Sequence, residues 1–149
     1  MLAGLALLAS AEPAAAKDAC EGAPGSGAVK LTVQAVHLRS AKGQVTVTVY
    51  PDDPHRFLAH HAKLLRQRVP AALPVTSSCF WLPPGVYALA LYHDENQNGD
   101  FDRNPVGIPV EGFGFSNDAP TRFSLPAFDA VRFRLPPEGR TMRVTMRYP

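Results

Sequence analysis

One run of ten residues, His93-Asp94-Glu95-Asn96-Gln97-Asn98-Gly99-Asp100-Phe101-Asp102, concentrates the groups able to do chemistry. Short oxygen-bearing side chains fall on alternate positions, 94, 96 and 98, and Gly99 then allows a sharp turn. A D-x-N-x-N-G pattern of this kind aims carboxylate and amide oxygens at one centre, as calcium requires with its six to eight oxygens at about 2.3–2.6 Å. The expected ligands are Asp94, Asn96, Asn98, Asp100 through its carbonyl, and Asp102. Asp94, Glu95, Asp100 and Asp102 also crowd four carboxylates into nine residues, and they repel unless something positive lies between them. The competing account is a metal-free loop in which Asn and Asp side chains bond nearby main-chain N–H groups. Charge repulsion favours calcium.

The first nine positions resemble an EF-hand loop, but the helical frame of that motif is missing. Where it needs a bidentate Glu, this chain has Pro105, and Val86 to Tyr92 alternates like a strand. Remaining ligands would have to come from Asn104, Glu111, a distant carbonyl or water.

Other constellations carry less. His93, Asp94 and Ser116 include the residue types of a hydrolytic triad, but adjacent residues on a strand point to opposite faces and no nucleophile elbow is present. Asp102 and Glu111 are a carboxylate pair that reads better as ligands or solvated charges than as glycosidase acids. His55, His60 and His61 have spacing unsuited to one helical face and read as solvated. Gly112-Phe113-Gly114-Phe115 is either an exposed aromatic platform for a glycan or peptide, or a loop whose rings plug the core while its glycines allow close approach.

The chain that must position these groups has 149 residues, 46% of them hydrophobic, enough for one core and one domain. Residues 1–16 read as a signal peptide: an apolar stretch from Met1 to Ala11, too short to span a bilayer, with small residues suited to cleavage after Ala11 or Ala16. No positively charged segment precedes it. Residues 17–28 form a Gly/Ala/Pro-rich leader and 29–149 the folded domain. Export suits the two cysteines, Cys20 and Cys79. A disulfide between them would contribute about 4 kcal/mol in the chain-entropy model; the alternative is two unpaired thiols. Lys17-Asp18-Ala19 is too polar for an acylation signal before Cys20.

Charge is unevenly spread. From His93 to Asp118 six acids face one arginine, a balance of −5, whereas from Thr121 onward six arginines face two acids, a balance of +4. The arginines alternate along strands and mark a solvated face. Without aromatic residues interleaved among them they do not argue for nucleic acid.

Strand periodicity dominates. Val29 to Val36 and Val45 to Tyr50 alternate about a turn at Ser40 to Gly43, predicting a hairpin of half-buried strands. Arg56 to Arg68 carries an imperfect apolar stripe and predicts a short helix. Thr76 to Leu82 predicts a strand, Pro83-Pro84-Gly85 a turn, and Val86 to Tyr92 a central strand covered on both faces. Asn104 to Pro126 reads as a long loop, and Ala130 to Leu135 and Met142 to Tyr148 as the last strands. Six or seven short strands predict an all-β sandwich.

Three ordered motifs carry a family resemblance: Leu82-Pro83-Pro84-Gly85-x-Tyr87-Ala88, then His93-Asp94-Glu95-Asn96-x-Asn98-Gly99-x-x-Asp102, then Gly107-Ile108-Pro109-x-Glu111-Gly112-Phe113-Gly114-Phe115-Ser116-Asn117. With Ala127-Phe128-Asp129-Ala130, they resemble the bacterial exported family known as domain of unknown function 2141. The resemblance implies an immunoglobulin-like or prealbumin-like β-sandwich and no established activity. The acidic loop by itself is also similar to calcium-binding loops in repeat modules of bacterial surface adhesins, though the acid that commonly follows such loops is absent.

Taken together, these features predict a periplasmic or secreted monomer without a transmembrane segment. It would be a non-catalytic envelope binding module with a calcium-stabilised loop, whose ligand, whether protein, peptide or glycan, the sequence does not name. The alternative is a hydrolase-like enzyme using His93 with Asp94 or Glu111.

Overall fold

A computed structural model describes residues 20–121 and 125–149; the expected signal peptide lies outside the described residues. Eight strands form two packed sheets: β1 (Val29–Val36), β2 (Gln44–Pro51), β3 (Leu65–Pro70), β4 (Val75–Leu82), β5 (Gly85–Asp94), β6 (Gly112–Phe115), β7 (Phe133–Leu135) and β8 (Arg140–Thr145). One sheet has the order β4-β1-β8, with β1 and β8 parallel. The other has the order β3-β2-β5-β6, and β7 pairs with the opposite end of the β5 edge that β6 occupies. This is the expected all-β sandwich.

Between the sheets lies the main core. Leu31, Val33 and Phe80 from one sheet meet Val45, Val47, Val49, Leu89 and Leu91 from the other, with Val144 of β8 closing the layer. Each such side chain, fully withdrawn from water, contributes about 1.5–3 kcal/mol. Strand alternation sets what β5 presents: Tyr87, Leu89, Leu91 and His93 point inward, so Ala88, Ala90, Tyr92 and Asp94 point outward. The outward face is not solvated. A second cluster built on Tyr50, Ala88, Phe115 and Val131, with Phe57 and Phe128 against it, covers it.

That second layer corrects several expectations. β1 and β2 form where expected but do not pair as a hairpin; they sit in different sheets, β1 on β4 and β2 on β5. β2 is buried on both faces, Thr46 and Thr48 included, so its polar alternation marks a covered outer layer rather than solvent. The segment Arg56 to Arg68 forms turns and then β3 rather than a helix; Phe57 is drawn into the outer aromatic cluster and Gln67 into pairing. Ala130 and Val131 belong to a single helical turn, α1 (Phe128–Val131), before β7 begins. The long connection Asn104 to Pro126 contains β6 and a 3-10 turn at Ser116–Asp118.

The two open sides of the sandwich are stitched. Gln67 Oε1 on β3 accepts the Cys79 N–H of β4 at 2.8 Å. On the other side Phe113 and Arg147 exchange main-chain bonds at 2.9 and 2.8 Å. Cys20 and Cys79 are joined in a disulfide across 59 residues. It holds Glu21 on the outer edge of β4, where Glu21 N–H donates to Cys79 O and Trp81 N–H to Glu21 O at 3.0 and 2.8 Å.

Candidate functional site: the acidic loop after β5

β5 ends at Asp94, whose carboxylate is fully buried. Asp94 Oδ1 accepts the Asn98 N–H at 3.1 Å, and Oδ2 accepts the Gly99 N–H at 2.9 Å and Gln44 Nε2 at 3.0 Å. The chain can fold back this tightly because Gln97 and Gly99 take positive φ, 57° and 82°. Asn96 Oδ1 accepts the same Asn98 N–H at 3.2 Å, and Asn98 Oδ1 accepts the Asp100 N–H at 3.0 Å. Oxygens of Asp94 and Asn96 therefore converge on one donor. Asp102 stands across the loop, taking Asn96 Nδ2 at 2.7 Å and Asn98 Nδ2 at 2.8 and 3.0 Å.

Glu111 closes the far side. It is only 5% exposed, and its Oε2 accepts the Asp102 N–H at 3.0 Å. Burial raises its carboxyl above the ordinary range; the Asp102 N–H bond opposes this, and the charges of Asp102, Asp94 and Glu95 add to it. From the sequence Glu111 is a possible source of missing ligands, a carboxylate partner of Asp102 and a candidate in the enzyme alternative, but it lies nine positions from Asp102. The bond from Val110 N–H to Asp102 O at 3.1 Å brings it back.

Two of the clustered acids behave differently from the rest. Glu95 turns away to Arg39 and Ser40: the guanidinium bonds Oε1, and Ser40 Oγ donates to Oε2 at 2.8 Å. Its carboxyl is lowered chiefly by that Arg39 bond. The Asp100 side chain is exposed, and its main-chain N–H donates to Asn98 Oδ1. Among the described residues, no group of three or more His, Cys, Asp or Glu is placed to hold a metal by itself. A cation in this loop would need its amide and carbonyl oxygens as well. The loop is pinned to the outer sheet face by Tyr92, whose hydroxyl donates to Gly99 O at 2.8 Å while its ring packs 5.6 Å from that of Phe101.

His93, Asp94 and Ser116 are not brought together as a bonded triad. His93 is fully buried on the inner face; Nε2 lies 2.7 Å from Lys42 O and Nδ1 2.7 Å from the Tyr148 hydroxyl. A carbonyl only accepts, so Nε2 carries the proton and Nδ1 accepts from Tyr148. The phenol also accepts the Arg39 N–H at 3.2 Å, and Arg39 lies over its ring at 4.7 Å. Burial raises the Tyr148 hydroxyl. Ser116 Oγ accepts the Leu89 N–H at 3.0 Å and donates to Val131 O, securing α1 against β5. No spacing rule points to Tyr148 or Gln44 as partners of His93 and Asp94; they arrive from segments distant in sequence, Gln44 at the start of β2 and Tyr148 beyond the end of β8.

The Gly-Phe run resolves by strand period. Phe113 and Phe115 face the outer cluster, their rings meeting neighbours edge-on or tilted with centroids about 6 Å apart, so they plug a core rather than present a flat platform. Gly112 and Gly114 face the other way, where a Cβ would meet the Tyr148 ring at 2.3 Å and Val144 Cγ1 at 2.8 Å. His55, His60 and His61 are exposed, as expected.

No helix among the described residues is long and apolar enough to cross a membrane. No curated protein matches the chain, and no solved structure does. A family model described as "Uncharacterized protein conserved in bacteria (DUF2141)" matches residues 33–143, from within β1 to within β8 and including the whole acidic loop. That span is most of the sandwich, and the chain belongs to this bacterial family.

Proposed function

We propose that this chain is an exported, non-catalytic binding module of the bacterial envelope whose loop from Asp94 to Glu111 takes calcium. The observation that carries the reading is the chain of hydrogen bonds that links Asp94 and Asn96 to the Asn98 N–H, Asn98 to Asp102, and the Asp102 N–H to the buried Glu111, an oxygen-rich loop in which burial and the neighbouring carboxylates raise Glu111. Hard oxygen donors of mixed carboxylate, amide and carbonyl type suit calcium. A cation taking Asp102 displaces the two amide NH2 groups now bonded there, leaving Asn96 and Asn98 to turn their oxygens inward. The disulfide supports residence in an oxidising compartment. Bonding of His93 and Ser116 to structural partners supports the non-catalytic reading.

Calorimetric titration of the oxidised full chain with calcium, alongside melts in calcium and in chelator, tests the site. At about ten times the dissociation constant, linkage gives about 1.4 kcal/mol, or a melting shift of about 3–6 °C for a domain of this size. Asp102→Ala should remove both heat and shift while leaving the chelator melt close to wild type. Asp94 is unsuitable for this comparison, because it is fully buried and holds two main-chain N–H groups without metal, whereas the bonds to Asp102 are exposed and come from side-chain amides. No heat and no shift in the wild-type protein would overturn the calcium reading.

A further inference from the structure

The segment joining Asp102 to Glu111 is a short arm folded back on itself, with Arg103 and Pro109 facing each other across it. Its tip, Pro105 to Val110, has no polar side chain. Val106 is 78%, Ile108 52% and Val110 45% exposed, three of the six large apolar side chains strongly exposed among the described residues. Gly107 turns the chain with φ 85°, and a Cβ built there would meet nothing within 4 Å. The tip stands clear of the sandwich.

Its main-chain groups are closed on one another. Pro105 and Pro109 have no N–H to satisfy. The Val106 and Ile108 N–H groups both donate to Asn104 Oδ1, at 3.1 and 3.0 Å. Gly107 N–H donates to Asn104 O at 2.9 Å and Val110 N–H to Asp102 O at 3.1 Å. The Ile108 carbonyl accepts the Asn104 N–H at 2.8 Å, and the Gly107 carbonyl accepts Arg103 Nη1 at 3.0 Å. Every N–H from 105 to 110 is therefore satisfied inside the arm. A loop facing water has no need of this, since water supplies acceptors; hydrocarbon supplies none, and backbone entering it must be satisfied internally. The same closure leaves no donor for an added peptide strand, whose affinity comes from main-chain bonds.

The base of the arm suits a lipid headgroup layer. Arg103 is exposed, and its guanidinium lies over the Phe101 ring at 5.0 Å, a charged head on an apolar stem of the kind that settles between hydrocarbon and water. Asp100 is exposed beside it, so the base carries both signs and fits a surface without net charge. We propose that the arm docks this chain on a zwitterionic phospholipid surface, with Val106, Ile108 and Val110 entering the acyl boundary and Arg103 and Asp100 staying among the headgroups. From Arg103 to Gly107 the chain reaches at most about 14 Å, enough for entry to a depth of about 5–10 Å. The docking holds whether or not the loop takes calcium.

The oxidised full chain should co-sediment with phosphatidylcholine vesicles in chelator. Together the three side chains are smaller than one myristoyl chain, which binds with an association constant of about 10⁴ M⁻¹, so half of the protein should be bound at roughly 1 mM accessible lipid. Val106→Asp with Ile108→Asp should weaken binding about tenfold or more and leave the melt unchanged, since both side chains are exposed. Val106→Trp provides the depth readout. Its emission should shift to the blue on adding vesicles and be quenched by lipids brominated along their acyl chains, whereas Trp81 on β4 should show neither change in the wild-type protein. No binding up to about 10 mM lipid, equal binding by the double variant, or an indole at position 106 that brominated chains leave unquenched would overturn the proposal. Self-association without lipid that the double variant abolishes would assign the tip to a second copy and overturn it too.

Discussion

Gly112→Ala isolates one contact on which the loop-bearing edge depends. Gly112 does not have positive φ, so its backbone tolerates alanine; the obstacle is the Tyr148 ring, with Cε1, Cζ and Cδ1 at 2.3, 2.5 and 2.8 Å from the new Cβ. Carbon atoms rest at about 3.5–4.0 Å, so the ring must move by roughly 1 Å or more. Moving it takes the phenol away from His93 Nδ1 and the Arg39 N–H and disturbs the Arg39 guanidinium above the ring. His93 is fully buried, and stranding its nitrogen costs about 1–3 kcal/mol. The partly exposed cation–π contact adds about 0.5–1 kcal/mol. The expected loss is therefore about 2–4 kcal/mol, or about 4–15 °C in melting temperature, measured by urea unfolding and melting of the disulfide-intact protein. Tyr148→Ala removes the obstacle at its own cost, and in that background Gly112→Ala should be neutral within about 0.5 kcal/mol, a coupling energy of about 2 kcal/mol or more. An equal cost with and without the ring would refute the argument, as would a wild-type melt for Gly112→Ala.

Two further perturbations test the site and its tether. Glu111 has a raised carboxyl, so its protonated form is favoured in the folded state; the metal-free protein holds that contribution below the ordinary carboxylate value and loses it as pH rises through the raised one. Glu111→Gln should thus melt at or above wild type in chelator at neutral pH and lack the Glu111-dependent loss of stability that sets in as pH rises above the ordinary carboxylate range; superimposable wild-type and variant profiles would count against the buried-acid account. Replacing Cys20 and Cys79 together by serine opens the 59-residue link and should lower stability by about 4 kcal/mol in the chain-entropy model. A loss below about 1 kcal/mol, read from urea midpoints, would show that the Glu21 strap hardly depends on the bond.

Period-2 alternation in Val29 to Val36 and Val86 to Tyr92 was sufficient to place β1 and β5, since a strand's apolar face is written locally. The hydrogen-bonded grouping of Asp94, Asn96, Asn98 and Asp102 within one loop was likewise legible, because a tight turn brings near neighbours together whatever the fold. Pairing was not. β1 and β2 alternate alike across a short connection, and only competition among all eight strands placed them in opposite sheets. The threonines of β2 read as solvent-facing until the aromatic cover of Tyr50, Phe57, Phe115 and Phe128 buried them. Tyr148 against His93, Gln44 against Asp94 and Glu111 against Asp102 join residues 55, 50 and 9 positions apart. Local periodicity carries no information about which distant strand supplies a partner; packing the two layers decides it, because a buried polar group must be satisfied by whatever the sheet order brings alongside.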